Sequence, residues 1–454
     1  MTDNPEMNNA MQTPQTPTFA EAIRVWLKIG LLSFGGPAGQ IALMHRILVD
    51  EKRWVDEGRF LHALNFCMLL PGPEAQQLAT YIGWLLHGIR GGLVAGLLFV
   101  IPGALVILAL SGIYVLYSDL PLLAAIFLGV KSAVLIVVIE AVLRIGKRVL
   151  KNGLMKLVAA LAFVAIFFLN LPFPLIVLGA GLLGAIGVRA GISGFAVLNA
   201  KQPDDETASL PQRSVRSGWT TLLIGVGGGL AWFAPIALAM IALGGEHVLV
   251  TEGLFFSKLA VVTFGGAYAV LAYMAQQAVE AYAWLSTGEM MDGLGLAEST
   301  PGPLIMVTQF VGFLASYRNA APFEPMTAGV VGSALTVWVT FVPCFLWIFM
   351  GAPYVERVRE NAYLSGALST ITAAVVGVVV NLSVWFGMQV LFAASKTVDS
   401  YGLRFMYPDL ATLNVTALIL AIGAGLALLT FHVNVIWVLV IGAAIAVPLS
   451  ALIG

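Results

Sequence analysis

Charged groups are so sparse in this chain that those buried in its apolar runs invite a chemical question. Lys131 lies eleven residues into an apolar run that opens at Leu120, about 16 Å along a helix rising 1.5 Å per residue. That is mid-depth in a bilayer whose hydrocarbon is about 30 Å thick. No acid lies three or four positions away on the same helix, so the ammonium is a candidate ligand for an anionic solute. Lys28 and Lys258 each precede a Phe-Gly-Gly triplet, seven residues before Gly35 and Gly265. They suit either the same task or snorkelling to the membrane interface. Glu74, Asp292 and Glu298 adjoin Pro-Gly-Pro segments and are candidates for proton coupling, although Glu74 equally suits a helix cap. Glu140, four residues before Arg144, reads as an ion pair at the membrane edge.

Glycine and proline supply the second kind of chemistry. The string Ser33-Phe34-Gly35-Gly36-Pro37 and the string Pro71-Gly72-Pro73-Glu74 interrupt apolar stretches of about 13 to 16 residues, shorter than the roughly 20 needed to cross a bilayer. Such strings predict broken or re-entrant helices, tolerated at membrane depth only where protein or a watery cavity satisfies the freed backbone. Proline is favoured in the first turn of a helix, so Pro37 and Pro73 mark helix N-termini. A helix N-terminus offers unpaired N–H groups and about half a positive charge, and glycine lets a ligand approach the backbone closely. Counterparts occur at Gly265-Gly266 and at Pro301-Gly302-Pro303. Four such ends converging near the midplane would bind an anion; the plainer alternative is that they are turns between interfacial helices.

Other chemistries are excluded or unsupported. His45, His62 and His87 lack metal-ligand spacing, and Cys67 and Cys344 sit singly in apolar runs, so no metal, cofactor or disulfide framework is expected. The glycines of 225–229 follow no strand and do not form a dinucleotide loop. With net charge −1 there is no basic field for nucleic acid.

The elements that position these residues must be membrane helices. Of 454 residues, 59% are apolar and 10% charged, against about 25% charged in a soluble domain. Apolar runs long enough to span occur at 92–117, 120–143, 219–245, 328–352 and 364–392, and shorter runs at 155–169, 171–187, 414–431 and 434–453 predict two helical hairpins. Residues 1–18 read as a disordered tail without a signal peptide, and Thr18 with Glu21 starts a helix near Phe19. Arg144, Lys147, Arg148, Lys151 and Lys156 crowd one loop, which places it in the cytoplasm. The polar segment 198–217 is then a cytoplasmic linker, the N-terminus cytoplasmic and Gly454 periplasmic. Glycines 179, 181, 184 and 187 predict close helix packing.

Displaced by 230 positions the chain matches itself: Lys28 falls on Lys258, Phe34-Gly35-Gly36 on Phe264-Gly265-Gly266, Trp54 on Trp284, and Pro71-Gly72-Pro73 on Pro301-Gly302-Pro303. At 241, Pro102 falls on Pro343 and Glu140 on Asn381. The fold class expected is therefore all-α and polytopic: a first repeat at 19–197, the linker, a linking helix at 218–250 and a second repeat at 251–454. The extra span inverts the second copy, the architecture of alternating-access transporters. Arg357 and Arg359 stand where the first copy has Ser118 and Asp119, and the loop 393–413 balances Lys396 and Arg404 with Asp399 and Asp409.

The strings FGGPAGQIALM at 34–44, LPGPEAQQLATYIGW at 70–84, TFGGAYAVL in the second half and STPGP after it resemble the chromate ion transporter family over nearly the whole chain. The resemblance implies efflux of chromate from the bacterial cytoplasm across the inner membrane, driven by the proton-motive force, with sulfate as the recognised analogue. Ala267 replaces the counterpart of Pro37 and Leu304 that of Glu74, so the two half-sites are unequal and the first is favoured. The other readings are a carrier of sulfate or another oxyanion and, from a different class, a membrane enzyme reducing chromate, for which no redox site is visible. The partners expected are chromate or sulfate and the lipid bilayer; a homodimer is left open.

Overall fold

The Thr18 hydroxyl accepts the Glu21 N–H at 3.3 Å and so starts α1 (Phe19–Leu32) where the sequence placed it. In the computed structural model the described residues are 17–118, 120–195, 218–264, 267–354, 361–400 and 403–453. The expected tail before residue 17, the linker 198–217, Gly265, Gly266, Arg357 and Arg359 fall outside them. After α1 the chain breaks at Ser33 and resumes as α2 (Gly36–His45), a π turn (Arg46–Glu51), α3 (Glu57–Cys67) and, past Pro71-Gly72-Pro73, α4 (Glu74–Tyr117).

As a straight rod the 44 residues of α4 would reach about 66 Å, twice the bilayer core. They do not, because His87 and Gly88 leave helical geometry, Gly88 at φ +67°. The two arms fold onto each other through small residues: a Cβ added to Gly91 would lie 2.2 Å from the Gly83 carbonyl oxygen, and one on Gly96 2.4 Å from the Thr80 hydroxyl. The arm after Pro73 is thus short, as expected from its length, and the long arm carries the span read at 92–117.

The same elements recur 230 positions later as α9 (Val248–Val262), α10 (Ala267–Gln276), a π turn (Gln277–Ala281), α11 (Thr287–Ser299), α12 (Val307–Arg318) and α13 (Pro325–Gly351). The correspondence reaches single residues. Each π turn is followed by a non-glycine at positive φ, Arg53 at +53° and Ala283 at +50°, then by a buried tryptophan, Trp54 or Trp284. Asp56 and Ser286 then cap α3 and α11 through their side chains. α12 folds back on α13 through Gly312 against Thr336 and Gly332 against Ser316.

The remaining spans are α5 (Pro121–Val149), α8 (Gly218–Leu243) and α14 (Ala362–Leu391). Among the described residues five helices are apolar and long enough to cross a membrane, matching the five long runs. The two predicted hairpins form as α6 (Gly153–Phe167) with α7 (Phe173–Arg189), and α15 (Val415–Gly425) with α16 (Val435–Ile453). Pro172 caps α7. Gly184 and Gly366 bring α7 and α14 into backbone contact, as Gly129 and Gly442 do for α5 and α16. Gly181 and Gly187 also pack closely, whereas Gly179 has open space around it. Leu105, Leu178, Leu182, Leu230 and Ile241 point outward, forming the apolar surface that a bilayer covers. One element departs from the helical expectation. The segment after α14 pairs as antiparallel strands β1 (Ser395–Ser400) and β2 (Leu403–Pro408), Val398 opposite Phe405, with the β-branched Thr397 and Val398 and the aromatic Phe405 and Tyr407 favouring strand.

Candidate functional site

Two helix breaks cross where the halves meet, and the backbone joins them reciprocally. The Gly72 N–H donates to the Thr263 carbonyl at 2.7 Å, and the Gly302 N–H donates to the Ser33 carbonyl at 2.9 Å. At an offset of 230 Gly72 corresponds to Gly302 and Ser33 to Thr263, so each Pro-Gly-Pro of one half clasps the residue before the Phe-Gly-Gly of the other. The surroundings repeat as well. A Cβ on Gly72 would meet Cys344 Sγ at 2.9 Å, and one on Gly302 would meet Gly103 Cα at 3.2 Å, Gly103 and Cys344 corresponding at 241.

Glycine is required at these crossings by conformation. Gly35, Gly36, Gly72 and Gly302 have φ of +82°, +68°, +127° and +95°, a region that costs other residues about 1–2 kcal/mol each. α2 opens on Gly36 with Pro37 in its first turn, and α4 opens on Glu74 with Pro73 as its cap. Both prolines therefore mark helix N-termini as expected. In the second half Pro303 caps a short 3-10 turn (Leu304–Met306) that leads into α12, and α10 starts at Ala267.

The freed carbonyls are gathered by buried amides. Gln40 Nε2 donates to the Gly302 carbonyl at 2.6 Å and to the Ser33 carbonyl at 3.3 Å; Gln77 Nε2 donates to the Pro71 carbonyl at 2.7 Å. The Ser33 hydroxyl bonds back to the Ile29 carbonyl at 2.5 Å, which leaves its own carbonyl for the crossing. Gln40 and Gln77 were missed among the site residues, although each is an amide inside an apolar run a few positions after a helix breaker.

Space and charge gather at the first break. Among the described residues no atom outside Gly35 and its chain neighbours lies within 4 Å of the position a Cβ would take on Gly35, and the Tyr268 hydroxyl is 3.7 Å from that position on Gly36. Tyr268 donates to Glu298 at 2.9 Å, so this buried acid of the second half stands one residue removed from the N-terminus of α2. Arg144 pairs with Glu140 at 3.0 Å as expected. One turn on, Arg148 reaches Met68 Sδ at 2.9 Å. The sequence assigned Arg148 to the cytoplasmic loop; the structure also brings it against the segment that leads into the first Pro-Gly-Pro.

The intramembrane lysines differ in setting. Lys131, without an acid on its own helix, meets Asp292 of the second half at 2.8 Å, the two side chains 20% and 10% exposed. Asp292 also accepts from the Tyr114 hydroxyl at 2.8 Å. Lys131 lines a cavity of about 220 Å³ with Gln389 and Asn414 among its walls. Lys28 lies on the exposed face of α1, and Lys258 sits over the Tyr273 ring at 5.6 Å. Neither is brought to the crossing by a contact seen here. Among the described residues no group of three or more His, Cys, Asp or Glu could hold a metal ion.

Comparison with known proteins adds what geometry alone does not carry. A family described as chromate transporter matches residues 20–185 and 250–447. The chain is 32% identical over 427 residues to a chromate transport protein of Pseudomonas aeruginosa, covering 90% of this chain and 92% of that one. It is 27% identical to a chromate transport protein of Cupriavidus metallidurans over 86% of each chain, and 26% identical to an uncharacterized transporter of Methanocaldococcus jannaschii over 84% and 87%. No solved structure matches it.

Proposed function

The chain belongs to the chromate transporter family, and on that premise we propose that it exports chromate, a tetrahedral dianion, from the cytoplasm across a bacterial inner membrane. The observation that carries the reading is the reciprocal pair of backbone hydrogen bonds joining the two helix breaks. Reciprocity, residue i of one copy to j of the other and j to i, is what a two-fold relation between copies produces. With α8 inserted between them, that relation supports inverted repeats around a midplane site. The anion would lie against the N-terminus of α2 at Gly35-Gly36-Pro37, facing the N-terminus of α4 at Gly72-Pro73. Arg144 and Arg148 would gather it from the basic cytoplasmic face. Lys131, held by Asp292, would be released to the anion when the halves rock, and Glu74, Asp292 and Glu298 are the groups placed to exchange protons with that movement. Lys28 and Lys258 keep only the interfacial role that their exposed positions suit.

Export of a dianion gains from the membrane potential itself. One charge crossing 100 mV is worth about 2.3 kcal/mol, so two negative charges leaving a negative interior gain about 4.6 kcal/mol before any proton moves. The reading is tested by uptake of chromate into inside-out vesicles carrying the protein, with sulfate as competitor. Saturable uptake that sulfate inhibits is expected; uptake of sulfate with chromate excluded would make the chain a sulfate carrier.

A further inference from the structure

A second cavity, of about 310 Å³, lies beneath the β1–β2 hairpin. Its size is in the range of small-molecule sites, about 300–1,000 Å³. Its walls are partly apolar, with Phe167 and Trp385 among them, and its polar groups come from both halves: Asn170 after α6, Gln276 at the end of α10, Glu280 on the π turn that follows, Asn381 on α14, and Arg404 on β2. Gln276 Nε2 donates to Asn170 Oδ1 at 2.5 Å, tying the halves across its floor, and the Arg404 N–H donates to the Phe168 carbonyl at 2.9 Å, anchoring the hairpin above it.

Its position follows from chain direction. α6 starts beside the basic loop at Gly153 and ends at Phe167, about 22 Å further on, so the cavity opens on the opposite face from that loop. α10 runs between the two sites: the Tyr268 hydroxyl near its start faces Gly36 of the first break, and Gln276 at its end lines the cavity. The lining also differs from the basic face in charge. At the equivalent of Asn381 the first half has Glu140, and at the equivalent of Trp385 it has Arg144. Here an amide and an indole replace that ion pair, and Arg404 is the only cation and Glu280 the only acid among the lining residues.

We propose that this cavity is a second site for the transported tetrahedral dianion, the last it occupies before release, with Arg404 as its cation. The inference rests on the transport reading and deepens it. Arg404 and the side-chain amides supply donors suited to an oxyanion. Glu280 shares the lining with Arg404, so an arriving anion competes with a carboxylate for the one guanidinium and is held weakly. Weak holding is what a release site needs, since conduction requires binding loose enough to leave.

The test uses the full chain with Thr397→Cys, a position on the cavity wall; the native Cys67 and Cys344 are buried and serve as the unlabelled blank. In right-side-out vesicles a membrane-impermeant neutral maleimide should label the new cysteine, and sulfate should slow labelling where chloride at equal ionic strength does not. Adding Arg404→Gln should raise the sulfate concentration for half protection about tenfold, the loss of one charge-assisted contact. Adding Glu280→Gln should lower it. Labelling confined to inside-out vesicles, absence of protection by sulfate, or protection unchanged by Arg404→Gln would overturn the proposal. Chromate uptake by inside-out vesicles from the same cells separates the two readings: uptake without protection removes this site alone, and absence of uptake removes the transport reading beneath it.

Discussion

The two helix breaks are built on one plan and finished differently. At the second Pro-Gly-Pro the backbone is packed shut: the Gly302 carbonyl is held by Gln40, and Gly103 Cα lies 3.2 Å from where a Cβ would be. At the first Phe-Gly-Gly the space beside Gly35 is open, and Gly36 faces the Tyr268 hydroxyl. The first half keeps Pro37 and Glu74, where the second has Ala267 and Leu304. Glu298 of the other half is linked to the open break through Tyr268. Duplication supplied two clasps of like geometry, and within the one joining Gly302 to Ser33 the Pro-Gly-Pro could serve as a brace while the Phe-Gly-Gly kept room for a ligand.

The largest effect that could break this comparison is at the glycines. Gly302→Leu should lose folded protein altogether, because its side chain meets backbone at φ +95°. Gly36→Leu should cost only about 1–2 kcal/mol of stability for the left-handed conformation while abolishing chromate uptake. Thermal unfolding in detergent beside vesicle uptake distinguishes the two; equal collapse of both variants would erase the distinction between brace and site.

A smaller effect sharpens the relation between halves at the Lys131–Asp292 pair. Lys131→Met leaves a buried carboxylate unpaired and should cost about 3–5 kcal/mol. Lys131→Met with Asp292→Asn should recover most of that stability but not transport. Recovery of both would make the pair structural.

The smallest concerns the hairpin, outside the spans. The Lys396 ammonium, 2.8 Å from Asp409, holds the Asp409 carboxyl below its usual value of 3.8, with help from the Ala411 amide. A depressed folded value means stabilisation present above the unfolded value and lost as pH falls through the folded one. Amide exchange in 395–408 should therefore be insensitive to pH from 8 to 5, after correction for intrinsic rates, and rise only below pH about 4.

The repeat, the five long spans, the two hairpins and the prolines at helix starts were legible because they follow from composition and local spacing. The bend at Gly88 was not, since a glycine in a helical run signals its φ only when the chain folds back. Nor was the partner of Lys131: Asp292 is 161 positions away, and only the crossing of α5 with α11 joins them. Tyr268 and Arg148 were hidden for the same reason, their roles depending on which face of each helix meets its neighbours. The strands had a local signal, the β-branched Thr397 and Val398 with the aromatic Phe405 and Tyr407, which the helical context obscured.

The central claim is that a dianion leaves through the first break with net negative charge moving outward. Chromate uptake by inside-out vesicles at zero pH gradient tests it, with an interior-positive potential imposed. The account predicts that uptake accelerates with the potential and that Gly36→Leu abolishes the response. Uptake that ignores the potential and follows only an imposed pH gradient would contradict it, and would make transport an electroneutral exchange in which Glu74, Asp292 and Glu298 carry the compensating protons.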